Sequence, residues 1–225
     1  MKTLIYTFLF SGILFSCNSP NQDTQEVIVE NEIQEESAKE IITTNYVKID
    51  SDELLIATAL LAAPAESREN CKVIGYNTNG EFVTLKEGTN EFICLADNPS
   101  KEGFSAACYY KSLEPFMARG RELKAEGKNH QEIFDIREEE VKSGKLEMGK
   151  AGSTLHIYFG DNKQYDAATK SVPGAIYRYV VYLPWATSAS TGLPEKPYAS
   201  NHPWIMNPGT HKAHIMISPI STPAN

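Results

Sequence analysis

Apolar residues recur along the chain with two different periods, which mark helices and strands. The first apolar stretch, LLIATALLAA, follows the polar residues DSDE and ends before Pro64. Asp50 can cap a helix, with Glu53 three residues further on, and proline cannot continue one. The pattern therefore predicts a short, largely buried helix over residues 51–63.

Strand-like segments follow this helix. Their ranges are residues 71–76 (CKVIGY), 81–86 (EFVTLK) and 91–97 (EFICLAD). The first two flank Asn79-Gly80, a dipeptide that favours the positive φ angles of a tight hairpin turn. The segment EGTN then turns the chain into the third. Together they predict a three-stranded meander.

Alternation within the third strand assigns its residues to two faces of the sheet. Phe92 and Cys94 point to one side, and Ile93 and Leu95 point to the other, because successive strand side chains alternate.

Residues 112–145 have a helical period instead. Pro115 suits a first helical turn, Asn129 with Glu132 resembles a capping box, and Gly144 is a stop signal. These features predict two short helices that form a hairpin with highly charged outer faces.

Strand patterns return in the last third of the chain, at residues 154–159, 176–183 and 213–218. The connecting segment 184–210 is rich in proline and has little periodicity. Strands with an inserted helical pair are typical of the α+β class. We therefore expect one α+β domain over residues 51–225, with a mostly antiparallel sheet and an inserted charged helical hairpin.

The first sixteen residues, MKTLIYTFLFSGILFS, combine a single positive charge with a short apolar run. This composition is typical of an export signal, and the run is shorter than the roughly 20 apolar residues that span a bilayer. LFSC, ending at Cys17, resembles the lipobox of bacterial lipoproteins, whose cysteine is lipidated and becomes the mature N-terminus. We expect a lipoprotein signal peptide at residues 1–16 and lipidation of Cys17; the alternative is an ordinary secretory signal with an incidental cysteine.

The next segment, residues 17–50, is acidic and polar. Such a sequence buries too little apolar surface to offset its ordering entropy, so it predicts a disordered tether, with an acidic interaction tail as the alternative. The net charge of −8 without a basic stripe argues against electrostatic binding of nucleic acid. The expected location is the bacterial cell envelope, on its periplasmic face or at the cell surface, with membrane contact through the lipid on Cys17.

Cys71, Cys94 and Cys108 are the remaining cysteines. An exported protein meets oxidising conditions, and three cysteines permit any of three single disulfides. Between Cys94 and Cys108, Asn98-Pro99 and Gly103 favour a turn. Three buried thiols are one alternative and a zinc site is another, although no C-x-x-C pair is present.

The sequence contains none of the common motifs for a catalytic nucleophile, for zinc binding in metalloproteases or for phosphate-binding loops. His202, His211 and His214 are close in sequence, but a strand through residues 213–218 would point His214 outward and hold these imidazoles apart. We therefore expect neither metal nor cofactor, and name these histidines as the site of an alternative, histidine-dependent enzyme.

Aromatic residues near the C-terminal end offer a second kind of site. Tyr182, Trp185, His202 and Trp204 form the candidate binding groove, suited to a sugar or peptide. The alternative is that aromatic side chains of this region cover a core or stack across strands.

Two segments, EGTNEFICL with Cys108, and GLPEKPYASNHPWIMNPGTHKAHIMISP, resemble an uncharacterised group of exported bacterial proteins. The resemblance implies a small single domain in which Cys94 pairs with Cys108, leaving Cys71 as the unpaired thiol. It implies no activity. The sequence thus favours a lipid-anchored, non-catalytic binding or structural module, whose partner is an envelope protein, a small molecule or a glycan; the alternative is a histidine-dependent hydrolase or metal enzyme.

Overall fold

The computed structural model describes residues 45–218. The predicted signal peptide, Cys17 and most of the predicted tether lie outside the described residues. The α-helices within this range are α1 (Asp52–Leu61), α2 (Glu114–Ala125), α3 (His130–Lys142) and α4 (Ser188–Thr191), and two short 3₁₀ helices span Ala65–Asn70 and Lys111–Leu113. Across residues 45–218, no helix combines the length and apolar composition needed to cross a membrane.

Polar caps begin α1 and α3. The Ser51 hydroxyl accepts a hydrogen bond from the backbone N–H of Leu54 (3.3 Å), so Ser51, and not Asp50, caps α1. At α3, the Asn129 side chain accepts from the N–H of Glu132, and the Glu132 carboxylate accepts from the N–H of Asn129. The predicted helical pair and its capping box are confirmed.

The strands form one large and one small sheet. In chain order they are β1 (Tyr46–Lys48), β2 (Lys72–Tyr76), β3 (Phe82–Lys86), β4 (Phe92–Leu95), β5 (Phe104–Tyr110), β6 (Thr154–Gly160), β7 (Gln164–Asp166), β8 (Ile176–Tyr182), β9 (Trp204–Met206) and β10 (His214–Ile217). β1 pairs with β7, and the other eight follow the order β3-β2-β4-β5-β6-β8-β10-β9. Only β2 and β4 pair in parallel within the large sheet of residues 45–218. The fold is α+β with a mostly antiparallel sheet, as predicted.

The predicted meander is wrong at its third strand. β2 and β3 form the expected hairpin, but β4 pairs with β2 on the side away from β3. The connection crosses the start of β2, where the Thr89 N–H donates to the Asn70 carbonyl (2.9 Å). A Cβ on Gly88 would stand 2.1 Å from the Lys72 backbone nitrogen, so the crossing requires glycine.

Four strands (β1, β5, β7 and β9) lie where the sequence analysis placed none. β5 contains the small residues SAA, which weaken its alternating pattern. β1 is followed by Ile49, which is buried, so ordered structure begins before the boundary that the sequence analysis drew between tether and domain at residue 51.

Helices cover both faces of the large sheet. The face under α1 is packed by the cluster that includes Leu55, Ala59, Cys71, Cys94, Phe104 and Cys108. The opposite face, under α2, is packed by the cluster that includes Tyr109, Leu113, Phe116, Val180, Tyr182 and Met216. Phe92 and Cys94 belong to the first face, and Ile93 and Leu95 to the second, which confirms the predicted alternation.

Candidate functional site

Three buried cysteines meet on the α1 face of the sheet. Cys94 on β4 lies directly opposite Cys108 on β5, and their sulfur atoms are 3.1 Å apart. Cys71 supplies a third sulfur, and all three lie within 4.8 Å of one another. Among residues 45–218, this trio is the one group of three or more Cys, His, Asp or Glu side chains whose ligand atoms come this close.

The environment of the trio keeps two of its thiols, those of Cys71 and Cys94, protonated. Burial is the main cause that raises the pKa of Cys71, to about 11. The contact with Cys108, followed by burial, raises the pKa of Cys94 far above its usual range. Because the thiolate is the nucleophile and the metal ligand, these thiols are weak in both roles. The Cys94–Cys108 disulfide stays a prediction, since both residues are thiols in this structure.

The histidines of the C-terminal region are held apart by separate partners. His211 is fully buried, with Nδ1 3.1 Å from the Glu138 carboxylate on α3. His214 donates from Nδ1 to the Lys212 carbonyl (2.7 Å). The prediction that His214 points outward is wrong, because α2 and its flanking segments cover that face and His214 packs beside Tyr182 there. Burial lowers the pKa of both imidazoles.

The four residues of the predicted groove divide between core and surface. Tyr182 is buried, with its ring centre 6.1 Å from that of Phe116. Trp204 packs against the same core cluster. Trp185 is 42% exposed, and His202 lies in a loop outside the strands. Tyr182 is therefore a core residue, since helices cover the face on which it lies.

A cavity of about 840 Å³ lies between the helical hairpin and the large sheet. Its apolar lining includes Leu95, Ala107, Tyr109, Met117, Ile133, Phe134, Leu155 and Ile157. Its cationic lining consists of Arg121, Lys124, Lys128, Arg137 and Lys212. No Asp or Glu stands among the residues of the described chain that line it. In a protein of net charge −8, this is a local concentration of positive charge.

Two of the cavity cations have carboxylate partners. Arg121 pairs with Glu114 (2.6 Å), and Lys128 pairs with Glu132 (3.5 Å). For the other three (Lys124, Arg137 and Lys212), no carboxylate within residues 45–218 lies at ion-pair distance. The cavity therefore presents three cations without an ion-pair partner among the described residues, and the negative charge of Glu140 acts on Arg137 only from beyond ion-pair distance.

Arg137 is the most buried of these cations, with 8% of its surface exposed. Its guanidinium carbon lies 3.9 Å from the ring centre of Phe116, and Nη1 donates to the Phe116 carbonyl (3.2 Å). Nε is buried and has no hydrogen-bond partner among the described residues. Burial lowers the pKa of Arg137, and burial followed by repulsion from Arg137 lowers the pKa of Lys212.

The sequence pattern did not reveal this site, because the charges of the helical hairpin were predicted to lie on outer faces. One sequence signal was available: Gly120 lies in the middle of a helical pattern. A Cβ at that position would stand 2.9 Å from Nη1 of Arg137, so the glycine leaves room for the guanidinium. No family model, curated protein or solved structure matches the chain.

Proposed function

We propose that this protein is a lipid-anchored protein of the bacterial cell envelope whose folded region is a non-catalytic binding module for a small molecule. The observation that carries the binding role is the cavity between the helical hairpin and the sheet. Its volume of about 840 Å³ is typical of small-molecule sites, and its lining combines an apolar wall with polar and charged side chains that can orient a ligand.

The lipobox-like segment ending at Cys17 supports the anchored location, and the acidic segment after it would separate the folded region from the lipid. Since the charge of the chain is negative, the acyl chains and not electrostatic attraction would hold the protein at an anionic membrane.

The histidine-dependent enzyme receives less support from the geometry. His211 has a carboxylate partner in Glu138, as an oriented general base does. However, its ring packs against Phe116 and Phe134, and its Nε2 is buried without a partner among residues 45–218. A general base must reach the proton that it abstracts, and this imidazole is 0% exposed.

A co-purification experiment tests the binding role. The lipoprotein is isolated from its native envelope, and small molecules released on denaturation are identified by mass spectrometry. Ala107 lines the cavity, so Ala107→Leu fills part of it; Ala199→Leu is the matched control at an exposed position. We expect one molecule bound by the wild type and the control and depleted in Ala107→Leu. Folded wild-type protein that releases no small molecule contradicts the proposal.

A further inference from the structure

The unpaired cations of the cavity make it a site for negative charge. Arg137 and Lys212 both line the cavity, and repulsion from Arg137 adds to the cost of charge on Lys212. Neither has a carboxylate at ion-pair distance within residues 45–218. A buried cation without a counter-charge is unfavourable, and a bound anion would remove that cost. Lys124 adds a third positive charge at an exposed position of the cavity wall.

The cavity also has an apolar wall, beside the cations and the polar lining residues Ser105, Asn129, His130, Gln131 and Asn207. Ala107, Leu155 and Ile157 lie on neighbouring strands of the sheet, and Met117 and Phe134 face them from α2 and α3. Such a wall gains free energy only when it covers an apolar group, so a small inorganic anion would leave it unused. The lining therefore fits a ligand with two chemically different ends.

We propose that the cavity binds amphipathic organic anions. The acidic head, a carboxylate or a phosphate, lies between Arg137 and Lys212, and the apolar body lies against Leu155 and Ile157. This inference rests on the proposed function as a binding module and names the class of its ligand. The guanidinium suits this head because its planar N–H groups match carboxylate and phosphate oxygens, and its buried Nε has no hydrogen-bond partner among the described residues.

Calorimetric titration of the full chain carrying Cys17→Ala, which lacks the predicted lipid acceptor, tests the class of ligand. The probes are octanoate, octyl phosphate, 1-octanol and octylammonium, whose linear alkyl chains of seven or eight carbons are closely matched. We expect both anions to bind about tenfold more tightly than octanol, because a charge-assisted hydrogen bond in a buried site contributes at least this factor. Octylammonium should bind most weakly.

Lys212→Met should weaken octanoate binding about tenfold and leave octanol binding unchanged. Lys150→Met removes the same charge from an exposed position outside the cavity lining and should alter neither. Arg137→Met removes the guanidinium that is proposed to contact the acidic head. Its octanoate affinity is measured if thermal unfolding shows that the variant is folded. Equal affinities for octanoate and octanol, or octanoate binding that Lys212→Met leaves unchanged, overturn the inference.

Vesicles distinguish a free acid from a membrane lipid as the source of the anion. Binding to phosphatidylcholine vesicles that contain phosphatidic acid, lost in Lys212→Met, indicates a lipid, whereas binding of the soluble octyl anions alone indicates a free amphiphile. A neutral or cationic molecule recovered from the native envelope contradicts this inference and leaves the binding function standing. Recovery of no molecule contradicts the binding function itself.

Discussion

Arg137 and Gly120 are packed against each other across the helical hairpin, such that a Cβ on residue 120 would stand 2.9 Å from Nη1 of the guanidinium. The glycine lies within α2, where alanine would ordinarily stabilise the helix by about 0.5–1 kcal/mol. The close approach reverses this expectation, because an added methyl group pushes the guanidinium from the Phe116 carbonyl.

We therefore expect Gly120→Ala to lower the free energy of unfolding by about 1 kcal/mol, measured by urea denaturation. The same change in an Arg137→Met background should instead stabilise the protein, since nothing is left to displace. This double-mutant cycle isolates the contact. Stabilisation by Gly120→Ala in both backgrounds would show that the glycine does not position Arg137.

Cys94 and Cys108 should be bridged in the exported protein, leaving Cys71 as the free thiol. The two residues are directly opposed on neighbouring strands, so the bridge requires little movement of the backbone. Its loss in Cys94→Ser should cost about 2–4 kcal/mol. Peptide mapping without reductant identifies the pair. Because the sulfur of Cys71 lies within 4.8 Å of both others, a bridge that includes Cys71 is the contrary outcome.

Stability should fall as the pH is lowered from 7.5 to 5.5. Burial is the first cause that lowers the pKa of His156, His211 and His214. The unfolded chain therefore binds more protons than the folded one below the ordinary histidine pKa of about 6.5, and acid favours unfolding. The pH interval from 7.5 to 5.5 lies above the range in which most carboxylates titrate, so the change in stability is assigned to the histidines. Thermal unfolding at both pH values measures the effect.

The matched variants of this experiment are His214→Asn and His130→Asn. Asparagine at position 214 retains a donor for the Lys212 carbonyl but does not titrate, so the loss of stability in acid should be smaller than in the wild type. His130 lies at an exposed position, so His130→Asn is the control for replacing an imidazole away from the buried histidines. If the wild type and both variants lose the same stability between pH 7.5 and 5.5, protonation of His214 does not cause the loss.

Two deletions, one that ends before β1 and one that ends after it, should lower the stability of the protein by different amounts. Removal of residues 18–44, which the sequence predicts to be tether, should keep the midpoint of thermal unfolding within a few degrees. Removal of residues 18–50 also takes β1 and Ile49, which is 3% exposed, and should cost about 2–5 kcal/mol for the lost side-chain burial. If the shorter deletion destabilises as much as the longer one, the tether prediction is wrong.

Cys17 should be the lipidated residue. We expect Cys17→Ala to leave the membrane fraction and to incorporate no alkyne-labelled fatty acid, because the thiol is the acceptor of the lipid. Cys71→Ala, at a buried position far along the chain, is the control and should label normally. Membrane fractionation with normal labelling of Cys17→Ala refutes the lipoprotein assignment.

The sequence by itself determined the local elements of this protein. Three features depend on residues within a few positions of one another, so the sequence alone predicts each of them. They are the capping box of α3, the turn between β2 and β3, and the alternation of β4. Their types were sufficient to predict an α+β fold. β5 could not be predicted from the sequence, because its small residues produce little contrast in hydrophobicity between the two faces of the strand.

Only the tertiary structure decided which strand β4 joins, which faces are covered and where the cations meet. Strand pairing depends on a connection that crosses β2 at Gly88, and a pattern of alternation is the same for either neighbour. His214 is buried because distant helical segments cover its face. Lys124, Arg137 and Lys212 come from three separate stretches of chain, and only packing of the hairpin on the sheet brings them to the lining of one cavity.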